Sequence, residues 1–260
     1  SPFHTTSFDT NNFAKKNKLS IQVAARQLRY NWFEEIRKQY NYQYIATAHH
    51  QNDSTETFLI NLIRGTGIAG LHGILPKQNK IIRPLLFAPK NEIIDYCKIN
   101  KLKFREDSSN TSEKYLRNKI RLQLLPTLKK INPNIETTLK KSIAYLNDVE
   151  LIFNTDVEKR RKQCVKILDN KNTIVSINGL KKLTALNTYL YYFLKPFNFN
   201  VAQVTVISSS LNKTEKQIFI SATHLLTKDR TQLLITENNL ADKTSNKNSN
   251  SFTIKKKNKK

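Results

Sequence analysis

One stretch decides the fold of the first half of this chain: Tyr42-Gln43-Tyr44-Ile45-Ala46-Thr47-Ala48-His49-His50-Gln51-Asn52-Asp53-Ser54-Thr55-Glu56-Thr57. Its first seven residues are an apolar, strand-like run, and an apolar helical pattern follows it at 58–63. Two histidines and two acids lie at the junction. Open α/β sheets bind ligands where strand ends deliver polar groups to helix starts. The stretch therefore predicts a strand–helix unit with a ligand site between the two elements.

Asp53 and Glu56 are three residues apart, so a helix that begins near Asp53 places both carboxylates on one face. Such a pair can hold a cation, a magnesium nucleotide or a substrate amine. The alternative is that both are ordinary acids of a first helical turn, where the helix dipole favours them. Adjacent residues of a strand point to opposite sides, so one of His49 and His50 is expected to reach the site.

The composition favours a polyanionic partner. The 260 residues contain 44 Lys and Arg against 20 Asp and Glu, a formal charge of +24. A nucleotide bias of the genome towards lysine codons is the alternative explanation. Cys97 and Cys164 are far apart and form no CxxC pair, which fits a reducing cytoplasm. No run is long and apolar enough to predict a membrane span.

The order of predicted elements gives an α/β fold with a parallel sheet, because helices and strands alternate. A helix capped by Ser20 runs to Gln39, and a strand, a helix, a short strand and a helix follow at 42–48, 53–64, 81–86 and 91–100. After Pro126 the sequence pattern predicts a long helix at about 134–165, and strand-like and helical segments follow it.

We therefore predict three regions: a catalytic parallel-sheet nucleotide-binding domain at 1–128, a helical connector with a small α+β domain at 129–240, and a basic disordered tail at 241–260. Two common sites are rejected. Gly65-Thr66-Gly67-Ile68-Ala69-Gly70 matches the dinucleotide fingerprint but follows a helix instead of a strand. Zinc is disfavoured because no third His or Cys has ligand spacing.

Two later segments carry polar groups that fit a phosphate site. Arg117 and Arg121 are four residues apart on a predicted helix and could fork a phosphate, although a solvated basic face is the alternative. The loop Phe104-Arg105-Glu106-Asp107-Ser108-Ser109-Asn110 closes a short strand, and it could equally be a turn that satisfies its own backbone.

Five segments occur in an order that closely resembles the tRNA(Ile)-lysidine synthetase family of the N-type ATP pyrophosphatase (PP-loop) superfamily. They are Ala24-Ala25-Arg26-x-x-Arg29-Tyr30, the block from His49 to Thr57 with Arg64-Gly65-Thr66-Gly67, Ile82-Arg83-Pro84-Leu85, Arg105-Glu106-Asp107-Ser108-x-Asn110, and Arg117-Asn118-x-Ile120-Arg121 with Leu124-Leu125-Pro126. The region after 130 resembles that family's second, tRNA-contacting domain.

The resemblance implies a two-step reaction in the cytoplasm that uses ATP and Mg²⁺. ATP adenylates the C2 carbonyl oxygen of the wobble cytidine in an isoleucine tRNA with a CAU anticodon, and the ε-amine of free L-lysine then attacks C2 and displaces AMP to give lysidine. The implied catalytic residues are Asp53, Glu56, Arg26 and Arg117. The implied nucleotide- and substrate-binding residues are His49, His50, Arg64, Arg105, Asp107, Asn118 and Arg121. A homodimer is a possible assembly.

The chain departs from the family pattern in two respects. The signature loop Ser-Gly-Gly-x-Asp-Ser, which grips the ATP phosphates in that superfamily, does not occur in the 260 residues. We therefore expect an amino-terminally truncated chain with an incomplete nucleotide-binding domain that is inactive alone. Asn52 and Ser54 also stand where the family pattern has Asp and Gln.

Two alternatives stay open. A tRNA thiolase of the same superfamily would transfer sulfur to RNA, and the missing CxxC pair counts against the iron–sulfur members of that group. A non-catalytic tRNA-binding protein would keep the basic charge without the chemistry.

Overall fold

The computed structural model describes residues 2–105, 116–169 and 171–238. The predicted tail at 241–260 lies outside these residues. The chain forms two compact units, 1–150 and 151–260. The predicted boundary at 128/129 stays a prediction.

The helices of the first unit follow local sequence signals. The Ser20 hydroxyl accepts from the backbone N–H of Val23 at 3.3 Å and starts the second helix, which ends at Gln39 as predicted. The third helix begins two residues earlier than predicted, at Gln51. The Asp53 carboxylate accepts from the N–H of His50 there, at 3.0 Å. The helices are α1 (Thr10–Asn17), α2 (Ile21–Gln39), α3 (Gln51–Arg64), α4 (Lys90–Ile99), α5 (Leu116–Lys119), α6 (Leu125–Ile131) and α7 (Ile135–Cys164), with residues 135–150 of α7 in this unit.

The sheet of the first unit is mixed. Its strands are β1 (Ile45–Ala46), β2 (Lys77–Gln78) and β3 (Ile81–Ile82), in the order β1-β3-β2. β1 and β3 are parallel, whereas β2 and β3 are antiparallel, so a purely parallel sheet is not confirmed. Asn79 has φ 53°, a left-handed conformation that asparagine tolerates, and it turns β2 back onto β3. The strands predicted at 42–48 and 81–86 are thus much shorter in the structure.

A π-helical turn at Ile120–Leu124 joins α5 to α6. The N–H of Leu125 bonds to the carbonyl of Ile120, and Pro126 has no N–H for an α-helical bond to Leu122. Ile120 and Leu125 are five residues apart and both are buried. They pack with Phe58, Leu59 and Ile143 in the core of this unit. The wider turn therefore keeps α5 and α6 against α3.

The second unit is an antiparallel sheet with helices. The order of its five strands in the sheet is β4-β5-β8-β7-β6. The sequence patterns had indicated β5, β6 and β8 but not β4 or β7. Its elements are the rest of α7, β4 (Val165–Ile167), β5 (Asn172–Ser176), α8 (Ile177–Lys181), α9 (Leu186–Leu194), α10 (Val201–Ser210), β6 (Gln217–Ile220), β7 (His224–Lys228) and β8 (Gln232–Glu237). Phe193, Leu190 and Ile207 are fully buried at its core. A small mixed α/β unit is therefore confirmed.

None of the helices in the described part of the chain is long and apolar enough to cross a lipid bilayer.

Candidate functional site

A cleft of about 450 Å³ opens where β1 ends and α3 begins. We call it the Asp53 cleft. Its walls come from α2, the end of β1, the start of α3 and α5. It is lined by Arg26, Arg29, Tyr30, Phe33, Ala46, Thr47, Ala48, His49, Asp53 and Arg117. Residues from four separate sequence segments thus converge on the strand–helix junction predicted as the ligand site.

Arg26 and Tyr30 of α2 face this cleft together. The Arg26 guanidinium lies 4.5 Å from the centroid of the Tyr30 ring, and its Nη2 donates to the Tyr30 hydroxyl at 3.1 Å. Both contacts restrict the arginine side chain, and neither neutralises its charge. Arg26 therefore presents a partly ordered cation to the cleft.

Glu56 is buried behind the cleft wall, with 1% of its surface exposed. Its Oε1 accepts from Nε of Arg121 at 2.7 Å, and its Oε2 accepts from Nη2 of the same residue at 3.1 Å. Nε of Arg117 lies 3.4 Å from Oε2. Burial of a carboxylate costs several kcal/mol unless it is paired and hydrogen-bonded. These two arginines meet that requirement.

The same ion pairs fix the arginines. The bond to Glu56 raises the pKa of Arg121, so its charge is permanent. Arg117 also donates to the Thr57 hydroxyl at 2.9 Å, which aims its guanidinium along α3. One carboxylate holds two guanidinium groups, so the cluster keeps a net positive charge. Arg117 then reaches the Asp53 cleft from this cluster.

Asp53 is placed differently from Glu56, although the two lie three residues apart on α3. Its Oδ2 accepts from the N–H of His50 and lies 3.5 Å from Nε2 of that side chain. Its Oδ1 is 4.0 Å from Nη2 of Arg121, which is the outer limit of an ion pair. Asp53 lines the open cleft, so it is the carboxylate of the pair that a ligand can reach.

His49 lies in the wall of the cleft, with its Nδ1 2.9 Å from the Thr47 hydroxyl. Burial lowers the pKa of the imidazole, and the negative charge of Asp53 opposes this only in part. The positive charges of three arginines lower it further: Arg83, Arg26 and Arg117. His49 is therefore neutral at neutral pH and can exchange single hydrogen bonds with a ligand.

This lowered pKa predicts a pH effect on stability. Above the unfolded-state pKa of histidine, about 6.5, the group is neutral in both states and has no effect. As the pH falls below that value, the unfolded chain binds the proton first, so the folded state loses stability. In urea titrations at pH 7.5 and 5.5, we expect the wild-type chain to lose more unfolding free energy than His49→Gln. Equal losses in both proteins would contradict this.

A second cleft, of about 770 Å³, shares several residues with the first. Five of its lining residues are arginines, and none is an aspartate or glutamate, so we call it the arginine cleft. Two of the predicted binding residues, Arg64 and Asn118, line it. The arginines are Arg26, Arg29, Arg64, Arg83 and Arg117. This wall suits a ligand with several negative charges.

A smaller pocket, of about 250 Å³, lies on the other side of Glu56. His50, Arg121 and Glu136 are among its lining residues. Both predicted binding residues, His50 and Arg121, thus face a pocket separate from the Asp53 cleft. The Nδ1 atom of His50 is buried and makes no hydrogen bond within the described residues.

Asn52 and Ser54, which differ from the family pattern, both form hydrogen bonds with neighbouring segments. Asn52 donates from Nδ2 to Glu136 at 2.7 Å and accepts the backbone N–H of Lys90 at 2.9 Å. The Ser54 hydroxyl accepts the N–H of Ile74 at 3.0 Å. A Cβ atom on Gly73, which has φ +66°, would lie 2.3 Å from that hydroxyl. These residues therefore fix the start of α3 against its neighbours.

Asn52→Asp is expected to lower the free energy of unfolding by about 1–3 kcal/mol, because it removes the donor to Glu136 and brings two carboxylates together. Chemical denaturation would measure the change. In the double variant Asn52→Asp/Glu136→Gln, the new amide can donate to the new carboxylate, and most of the lost stability should return. No recovery in that double variant would contradict the pairing.

Not every predicted residue reaches a cleft. Arg105 is exposed and lines a shallow depression with Leu102, Lys103 and Phe104, and it is not among the lining residues of the three cavities above. Asp107 lies outside the described residues. Arg29 and Arg83 line the arginine cleft, and their sequence pattern had indicated no role for them although both belong to the five segments above. Arg29 lies one helical turn after Arg26 on α2, and this spacing is the signal that could have indicated its place beside Arg26.

Comparison with known proteins identifies two regions of the chain. Residues 3–128 match the family described as PP-loop domain, and residues 168–238 match the TilS substrate binding domain. The first unit therefore contains a PP-loop nucleotide-binding domain at residues 3–128, as the resemblance of the five segments had implied.

The chain is similar to tRNA(Ile)-lysidine synthases. It is 41% identical over 232 residues to that of Bacteroides thetaiotaomicron, covering 89% of this chain and 53% of the relative. It is 42% identical over 235 residues to that of Parabacteroides distasonis, covering 90% and 53%. For Porphyromonas gingivalis the identity is 37% over 240 residues, covering 90% and 51%. The chain spans about half the length of these curated relatives. It therefore combines a PP-loop domain with a TilS substrate binding domain.

Proposed function

We propose that the protein containing this chain ligates free L-lysine to C2 of the wobble cytidine in an isoleucine tRNA with a CAU anticodon, at the expense of ATP. One observation carries the proposal: Asp53, Arg26 and Arg117 line one cleft although they come from three separate segments of the chain. A reaction that joins an amine to an activated base needs such a combination of a carboxylate and fixed cations.

In the first step, the C2 carbonyl oxygen of cytidine attacks the α-phosphorus of ATP, an O–P bond forms and pyrophosphate leaves. Negative charge develops on the leaving group. Arg26 and Arg117 offer guanidinium groups to it, and Glu56 holds Arg117 in place. Arg121 belongs to the same cluster and donates to both carboxylate oxygens of Glu56. Glu56 contributes through these arginines, because its oxygens already accept from them.

In the second step, the ε-amine of lysine attacks C2, the C–O bond breaks and AMP leaves. The amine must lose a proton to become a nucleophile, and Asp53 is the carboxylate that faces the open cleft. His49, neutral at neutral pH, can bond to the nucleotide or the base without adding charge. His50, Arg64 and Asn118 are proposed to bind nucleotide or substrate from the adjoining cavities.

Mg²⁺ fits this site only as an ion that the nucleotide phosphates carry. Within the described residues, no group of three or more His, Cys, Asp or Glu side chains could hold a metal ion. Magnesium commonly uses one or two carboxylates together with substrate phosphates and water. Phosphate oxygens and water would hold the ion, and it would offset phosphate charge. Roles for Arg105 and Asp107, a homodimer and a cytoplasmic location stay predictions.

The test is incorporation of labelled lysine into an isoleucine tRNA transcript in the presence of ATP. It is run on this 260-residue chain and, in parallel, on the protein translated from the whole open reading frame that contains it. The 260 residues contain no Ser-Gly-Gly-x-Asp-Ser loop, so we expect little or no product from the chain alone. Label at the wobble base in the second reaction supports the proposal.

The same assay separates the alternatives. Transfer of labelled sulfur to the tRNA, without lysine, would replace the proposal by a thiolase. Tight tRNA binding with neither product would indicate a non-catalytic tRNA-binding protein.

A further inference from the structure

Arg83 is a buried cation without an acidic partner. It follows β3 in the segment Ile82-Arg83-Pro84, and 7% of its surface is exposed. Its Nη1 donates to the carbonyl of Leu75 at 2.6 Å, and its Nη2 lies 3.4 Å from Oε1 of Gln78. Its Nε is buried and has no hydrogen-bond partner, and it makes no ion pair among the residues that the structure describes.

This environment differs from that of two partly buried arginines. Arg121 is paired with Glu56 and Arg37 with Glu34, each through two hydrogen bonds. A buried charge that lacks a counter-ion is unfavourable by several kcal/mol, so proteins rarely keep one without a use for it. A neutral residue could satisfy the Leu75 carbonyl at lower cost. The positive charge of Arg83 itself therefore needs an explanation.

The surroundings of Arg83 supply one. It lines the arginine cleft, whose walls carry four further arginines and no acidic side chain. The positive charge of Arg83 also contributes to the lowered pKa of the His49 imidazole. A guanidinium carries a planar fork of N–H donors that matches the oxygens of a phosphate group.

We propose that Arg83 binds a phosphate group of a substrate in the arginine cleft, as a binding residue additional to those that the sequence indicated. The group is either a phosphodiester of bound RNA or a phosphate of bound nucleotide. The proposal rests on the proposed function in one respect, since it requires a phosphate-bearing substrate in this cleft. In the free protein Arg83 is an uncompensated cation, and the bound phosphate supplies the missing counter-charge.

The test compares Arg83→Gln with wild type, both made as the protein from the whole reading frame. The glutamine amide can still donate to a nearby carbonyl, so removal of the buried charge should leave the thermal unfolding midpoint nearly unchanged. Affinity is measured for an anticodon stem-loop transcript and, separately, for ATP. We expect a loss of roughly ten-fold to a hundred-fold for the ligand whose phosphate Arg83 binds. If that ligand is RNA, the slope of log affinity against log salt should also fall by about 1.

Arg37→Met is the matched control. Arg37 is ion-paired with Glu34 and lines none of the clefts described, so its loss should lower stability while RNA and ATP affinities stay at wild-type values. If Arg83→Gln fails to fold, Arg83→Lys keeps the charge without the fork, and it should still bind the affected ligand several-fold more weakly than wild type.

The outcomes separate the two proposals. Wild-type affinity for both ligands in a folded Arg83 variant would overturn the role of Arg83 and leave the proposed function standing. Failure of the wild-type protein from the whole reading frame to bind either RNA or ATP would overturn both. A loss for RNA alone identifies the phosphodiester, and a loss for ATP alone identifies the nucleotide.

Discussion

Glu56→Gln should abolish lysidine formation and also lower the free energy of unfolding by about 3 kcal/mol. The carboxylate is buried and is the acidic partner of both Arg117 and Arg121. Its neutral replacement leaves two guanidinium groups close together without their counter-ion. An amide also turns two donors towards groups that are themselves donors, so the bidentate bond to Arg121 cannot survive.

Chemical denaturation measures the loss of stability, and labelled-lysine incorporation measures the activity of the protein from the whole reading frame. Glu34→Gln is the matched control, because Glu34 also holds an arginine bidentately but is more exposed and lies outside the clefts. The control should lose 1 kcal/mol or less, as roughly expected for a surface ion pair, and should keep its activity. A stable Glu56→Gln protein with normal activity would refute the positioning role.

Asp53→Asn should lower lysine incorporation by about 10²–10⁴-fold while it leaves the fold intact. Asparagine keeps an oxygen that can accept from the N–H of His50, so the start of α3 stays in place. It cannot take the proton of the attacking amine. The first step does not need that proton transfer, so pyrophosphate release that depends on tRNA and ATP should continue.

A direct readout is the ratio of pyrophosphate released to lysine incorporated, which should rise in Asp53→Asn and stay near one in wild type. A variant that loses both steps equally would show that Asp53 binds nucleotide instead of acting on lysine. A variant that retains both would exclude it from catalysis.

Local sequence signals determined much of the first unit. The cap at Ser20, the spacing of apolar residues in α2 and α7, and the three-residue spacing of Asp53 and Glu56 all describe contacts within one or two helical turns. Such contacts depend only on neighbouring residues, and the structure places α2 and α7 within a residue of their predicted bounds. The resemblance to the family also came from short segments that can be compared without a fold.

The different roles of the two acids could not be derived from that spacing. Glu56 is buried because Arg121, 65 residues later in the chain, folds over it, whereas Asp53 stays at the cleft. The short mixed sheet likewise depends on a hairpin that returns β2 to β3. Arg83 is buried where it donates to the carbonyl of Leu75, and the two residues meet because the chain turns back on itself between them.

The sequence by itself thus determined the longer helices α2, α3, α4 and α7 and the resemblance to the family, because local geometry and motif order depend on neighbouring positions. Only the tertiary structure decided which charges are paired, which are exposed to a ligand and which are left without a counter-ion. Coulomb energies and desolvation depend on distances between residues far apart in the chain, and those distances exist only in the folded protein.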